Sequence, residues 1–140
     1  MEEILELKEL LLKGDMAGAL LLAEEMEEMG RSAIASNIRR YAKVLLLQLI
    51  KQQAENRSTK SWEVSIRNSL EEIKYGNKCK KVEGYYFSQE ELRDILESVY
   101  ERAIDFASLE VAEGRYEPEE LSVKVFKETI VNTAMGLLDE

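Results

Sequence analysis

Arg39, Arg40 and Lys43 lie in a stretch between Glu28 and Glu55 that holds no acidic residue, and Lys78, Lys80 and Lys81 crowd one short segment further on. Cations grouped in this way suit the electrostatic binding of phosphate or of an acidic partner. The second group runs into Tyr85, Tyr86 and Phe87, and cations interleaved with aromatic rings are a pattern used to hold single-stranded nucleic acid. Each group also has a purely structural use. Phe87 can staple the helix that follows it while the tyrosines cover the edge of a core. Arg39, Arg40 and Lys43 can meet carboxylates on neighbouring helices, Glu24, Glu25, Glu27 and Glu28 on one side and Glu97 and Glu101 on another. Such exposed pairs contribute about 0–1 kcal/mol each. With a net charge of −9, which repels nucleic acid, internal pairing is the expectation.

Other chemistry has less to draw on. The chain has no His, which excludes Ser-His-Asp and Cys-His nucleophilic sites and every His-containing zinc site. Cys79 is the single cysteine, set in Lys78-Cys79-Lys80-Lys81 where cations favour the thiolate. It has no base or orienting partner nearby in sequence and reads as a surface thiol. Carboxylates alone can hold Mg²⁺ or Ca²⁺, but no Ca²⁺-loop spacing of Asp, Asn and Gly occurs. A carboxylate-dependent enzyme would need acids from several helices to converge on one pocket. No catalytic, cofactor-binding or metal-ligating residue is assigned, and no cofactor is expected.

The elements that must position these residues are helical. Ile4, Leu7 and Leu11 mark a first helix stopping at Gly14, after which Asp15 can cap a second that carries Met16, Ala19, Leu20, Ala23 and Met26 as far as Gly30. Ser32 then starts a third helix, to about Glu55, apolar around much of its circumference, as a helix central to a bundle is. A fourth begins at Ser58 or Ser61, places Trp62, Ile66, Leu70 and Ile73 on one face, and ends at Gly76. Trp62 reads as a core anchor. On the same helix Glu63, Arg67, Glu71 and Lys74 stand at spacings that let them neutralise one another. After the irregular stretch 77–87, Ser88-Gln89-Glu90-Glu91 forms a capping box, with Phe87 and Leu92 placed for the hydrophobic staple. That helix is expected to reach Gly114, and Pro118 to open a last one running to Leu138. The whole is an all-α bundle of five or six helices, with residues 1–140 forming one domain and the 32–55 helix central.

Charge is segregated along it. Residues 1–30 carry 2 basic and 9 acidic side chains, residues 31–81 carry 12 and 4, and residues 82–140 carry 5 and 15. No run approaches the roughly 18 apolar residues of a membrane span, and the acidic amino terminus lacks the basic region of a signal peptide. A cytoplasmic location is expected.

The stretch from Leu22 to Ile73 carries a signature at each end. Glu24-Glu25-Met26-Glu27-Glu28-Met29-Gly30-Arg31-Ser32 opens it, Leu45 to Lys51 forms its apolar middle, and Arg57-Ser58-Thr59-Lys60-Ser61-Trp62 leads to Ile66-Arg67 and Glu72-Ile73. Together these resemble the family of domains of unknown function numbered 29, which is small, largely cyanobacterial and all-helical. The resemblance implies a helical protein with no assigned activity. With no phosphate-binding Gly loop or His-based constellation, the reading is a protein that acts through protein contacts rather than catalysis, with a protein partner or a second copy in a homodimer as its target. The alternative is a nucleic-acid- or nucleotide-associated protein that uses the basic 31–81 segment.

Overall fold

The computed structural model describes residues 2–79 and 83–140. They form six α-helices and one 3₁₀ turn, with a lone antiparallel bridge between Lys78 and Tyr85 and no strand among the described residues. The all-α class follows. The chain divides into two compact units, residues 1–35 and 36–140.

The first unit holds α1 (Glu2–Leu12) and the beginning of α2 (Met16–Glu55). Gly14 takes φ +78 at the turn, a conformation that costs a side-chain-bearing residue. Asp15 Oδ1 accepts the Gly18 amide at 2.9 Å and so caps α2 as its sequence suggests. Gly30 does not end a helix, and Ser32 does not start one: α2 continues through both. An interior glycine costs a helix only about 1 kcal/mol against alanine, and neither a positive φ nor a proline forces a stop here. Ala19 is the sole buried residue among those described in this unit.

In the second unit the core is built on the remainder of α2, where Ile38, Ala42, Leu45, Leu46, Leu49 and Ile50 are buried. α3 (Lys60–Asn77) is capped by Thr59 rather than by Ser58 or Ser61, the Thr59 hydroxyl accepting the Trp62 amide at 3.1 Å, and it runs one residue past Gly76. α4 (Gln89–Ser108) opens on the expected capping box. Ser88 Oγ accepts the Glu91 amide at 3.2 Å, and Glu91 Oε1 accepts the Ser88 amide at 3.0 Å. Phe87 and Leu92 are both buried beside it.

α4 stops at Ser108, short of the expected Gly114. Ser108 Oγ donates to the Asp105 carbonyl at 2.7 Å, satisfying an end-of-helix acceptor. The chain then turns left-handed through Ala112, Glu113 and Gly114 (φ 48, 59 and 77). The expected final helix is two, α5 (Pro118–Ser122) and α6 (Lys127–Leu138). Phe126 sits extended at the break, its amide donating to Gln53 Oε1 at 2.6 Å, a tertiary bond that replaces the one helix continuation would make. α4 packs on α5 and α6, and α3 on α6.

Within this core Tyr100 is buried, and its hydroxyl finds no hydrogen-bond partner among the described residues. Burial, with Glu101 adding repulsion, pushes the phenol up to about 12, so the ring acts as neutral volume.

Candidate functional site

Ser36, Arg39, Arg40 and Lys43 recur at intervals of three and four along α2, which puts them on one helical face. On α4, Ser98 and Arg102 are likewise four apart. The two sets line an open recess of about 390 Å³, with Val99 between them. Two of its cations are held in place. Arg40 Nη2 donates to Asn37 Oδ1 at 2.8 Å, with the guanidinium 5.3 Å from the centre of the Tyr41 ring, and Lys43 Nζ lies 4.5 Å from that of Phe106.

No carboxylate among the described residues of 36–140 comes within 4.0 Å of Arg39, Arg40, Lys43 or Arg102. The expected pairing with Glu97 and Glu101 is therefore corrected. Glu97 reaches Arg93 on its own helix, at 4.0 Å, and Glu101 pairs with none of the four. Four cations that border one recess with no carboxylate of these residues at ion-pair distance repel one another, an arrangement that folding alone does not favour.

Sequence reasoning found three of these cations and missed Arg102, Ser36 and Ser98. Arg102 is one of 5 basic residues in an otherwise acidic segment. The readable signal was its place beside Val99 and Ala103 on the buried stripe of α4, at the edge of the helix contact. Lys78 is exposed on the Tyr85 bridge and does not line the recess. Lys80 and Lys81 lie outside the described residues. Cys79 is free and half-buried.

Trp62 is half-buried rather than a core anchor. Its ring has Lys51 Nζ and the Arg57 guanidinium each 4.7 Å from its centre. Lys51 is 5% exposed and also pairs with Glu110 at 2.8 Å, so the indole face helps to hold a buried cation. Trp62→Ala should then cost about 2 kcal/mol rather than the 3–5 kcal/mol typical of a fully buried ring. Urea unfolding followed by circular dichroism measures this, and a loss above 4 kcal/mol would restore the anchor role. The charge ladder on α3 is not formed either: among the described residues no ion pair joins Glu63, Arg67, Glu71 and Lys74, and Lys74 Nζ instead approaches the Glu140 carbonyl at 3.5 Å.

A second surface lies in the first unit. Leu5, Leu12, Met16, Leu20, Leu21 and Met29 are all more than half exposed there, Leu12 at 88%. No helix among the described residues is long and apolar enough to cross a membrane, and no three Cys, Asp or Glu side chains among them are grouped to hold a metal.

The model of the family described as "Domain of unknown function DUF29" matches residues 15–139. No curated protein and no solved structure matches the chain.

Proposed function

Since the chain belongs to the DUF29 family, which carries no assigned activity, we propose from its surfaces that it acts by protein contact, binding a cationic amphipathic helix of a partner through residues 2–29. The observation behind this reading is the run of exposed Leu and Met side chains in a segment of 2 basic and 9 acidic residues. Flexible thioethers and leucines mould to an apolar helix face, and the surrounding carboxylates select a positively charged one. A second copy is the less favourable occupant, because two such segments, each net −7, repel. The free thiol of Cys79 suits the reducing cytoplasm, where we place the protein.

A designed Leu/Lys amphipathic peptide should bind the full chain, weaken as salt rises, and lose at least about tenfold in affinity with Leu20→Asp and Leu21→Asp, a loss of about 1.4 kcal/mol. Sedimentation under reducing conditions provides the contrary result. A dimer that tightens as salt screens the carboxylates, and that the same substitutions dissolve, would assign the surface to self-association.

Association with nucleic acid or a nucleotide through the 31–81 segment is the second reading, favoured by the uncompensated cations of the recess. Against it, no aromatic ring lines the recess to stack a base.

A further inference from the structure

The recess between α2 and α4 carries a more specific assignment, one that stands apart from the amino-terminal surface. We propose that Arg39, Arg40, Lys43 and Arg102, with the Ser36 hydroxyl, bind the dianionic phosphate of a phosphate monoester.

Charge, donors and size each suit such a group. Three guanidinium groups and an ammonium border one recess whose lining holds no carboxylate among the described residues. Arg presents paired N–H donors that match two oxygens of a phosphate, and the Ser36 hydroxyl can donate to a third, while that of Ser98 is given to the Ile95 carbonyl at 2.6 Å. Asn37 and the rings of Tyr41 and Phe106 orient Arg40 and Lys43 through contacts that leave their charge uncompensated. The preorganisation that the recess needs is thus partly present.

At about 390 Å³ the recess lies near the small end of ligand sites. It suits a terminal phosphate and a few further atoms. A phosphodiester chain would instead require cations spaced along a track, in a protein whose net −9 opposes a long polyanion. With neither an aromatic ring for a base nor a carboxylate for a ribose in its lining, the recess recognises the phosphate rather than a nucleoside.

Such a phosphate can be a small free ester or a phosphorylated side chain, and calorimetry on the full chain at about 0.15 M ionic strength distinguishes them. The titrants are glycerol 3-phosphate, a phosphoserine peptide with its unphosphorylated twin, and a short single-stranded oligonucleotide. One-to-one binding of a monoester is expected, with the Nε–H resonances of Arg39 and Arg102 shifting on titration. Equal affinity for the two esters identifies a small ligand, and tighter binding of the phosphopeptide identifies a protein side chain. Replacing Arg39 and Arg102 together by Gln should weaken binding at least about tenfold and leave the melting temperature unchanged or higher, since like charges are relieved. The proposal is overturned if neither ester binds, if only the oligonucleotide binds, if the two arginine resonances stay still while an ester binds, or if the double variant binds as well as the parent.

Discussion

Leu46→Ala should lower stability by about 3–5 kcal/mol. Leu46 is fully buried on α2, so the substitution loses the transfer energy of the removed carbons and leaves a cavity. How far the cavity refills decides the position within that range. Ala42, Ala103, Ala107 and Ala134, on α2, α4 and α6, are fully buried too. Buried alanines place helix backbones close together, where backbone meets backbone and further approach is resisted. Little refilling is expected, and the value should fall in the upper part of the range. The urea midpoint should drop with an unchanged m-value. Leu20→Ala on the exposed first unit is the control and should change stability by no more than about 0.5 kcal/mol. A loss below 1.5 kcal/mol at Leu46 would mean that this stretch of α2 is not the core.

What could be read beforehand divides by the range of the interaction. Gly14, Asp15 and the Ser88–Glu91 box act within four residues of themselves, and each does in the structure what its sequence announces. The apolar character expected of the 32–55 helix is likewise local in origin, and Ile38, Leu45 and Leu49 on it are buried. The failures are choices settled at a distance. Gly30 permits a helix end as readily as a helix, and here the helix continues. The break at Phe126 depends on Gln53, seventy-three residues away. Arg102 joins Arg39 only because α4 lies against α2, a juxtaposition that no spacing encodes.

The same distinction explains why order along the chain points to internal pairing of the cations. Residues 31–81 carry an excess of positive charge between two acidic segments, so complementarity is the economical inference from order along the chain. Pairing, however, requires particular atoms to come within about 4 Å. Lys51 achieves this with Glu110, but the recess cations do not. Charge balance over a segment is thus compatible with local imbalance, and it is the local imbalance that can recognise a ligand.

Asn77→Ala is expected to cost about 2–5 kcal/mol, from the loss of two buried hydrogen bonds together with the desolvation of the groups that made them. Asn77 ends α3 at 4% exposure. Its Oδ1 accepts the Phe87 amide at 2.8 Å, its Nδ2 donates to the Phe87 carbonyl at 3.0 Å, and its own carbonyl accepts the Tyr86 amide at 2.8 Å. One side chain thereby fixes the residue that precedes the Ser88 cap, and with it the start of α4. Hydrogen exchange in the first turn of α4 should quicken in the variant more than exchange at Leu96 or Val99. Asn77→Asp separates hydrogen bonding from size. The carboxylate keeps an acceptor for the Phe87 amide but sets a second oxygen against the Phe87 carbonyl, so its neutral form is favoured in the fold and its pKa should rise above the unfolded value. Stability carried by such a group is present below the unfolded pKa of about 3.9 and lost as pH rises through the folded one. Measured against the parent protein at each pH, the deficit of Asn77→Asp should therefore be at least that of Asn77→Ala at pH 7 and shrink towards pH 4. A deficit that does not change with pH would show that Nδ2 is not the donor on which the Phe87 carbonyl depends.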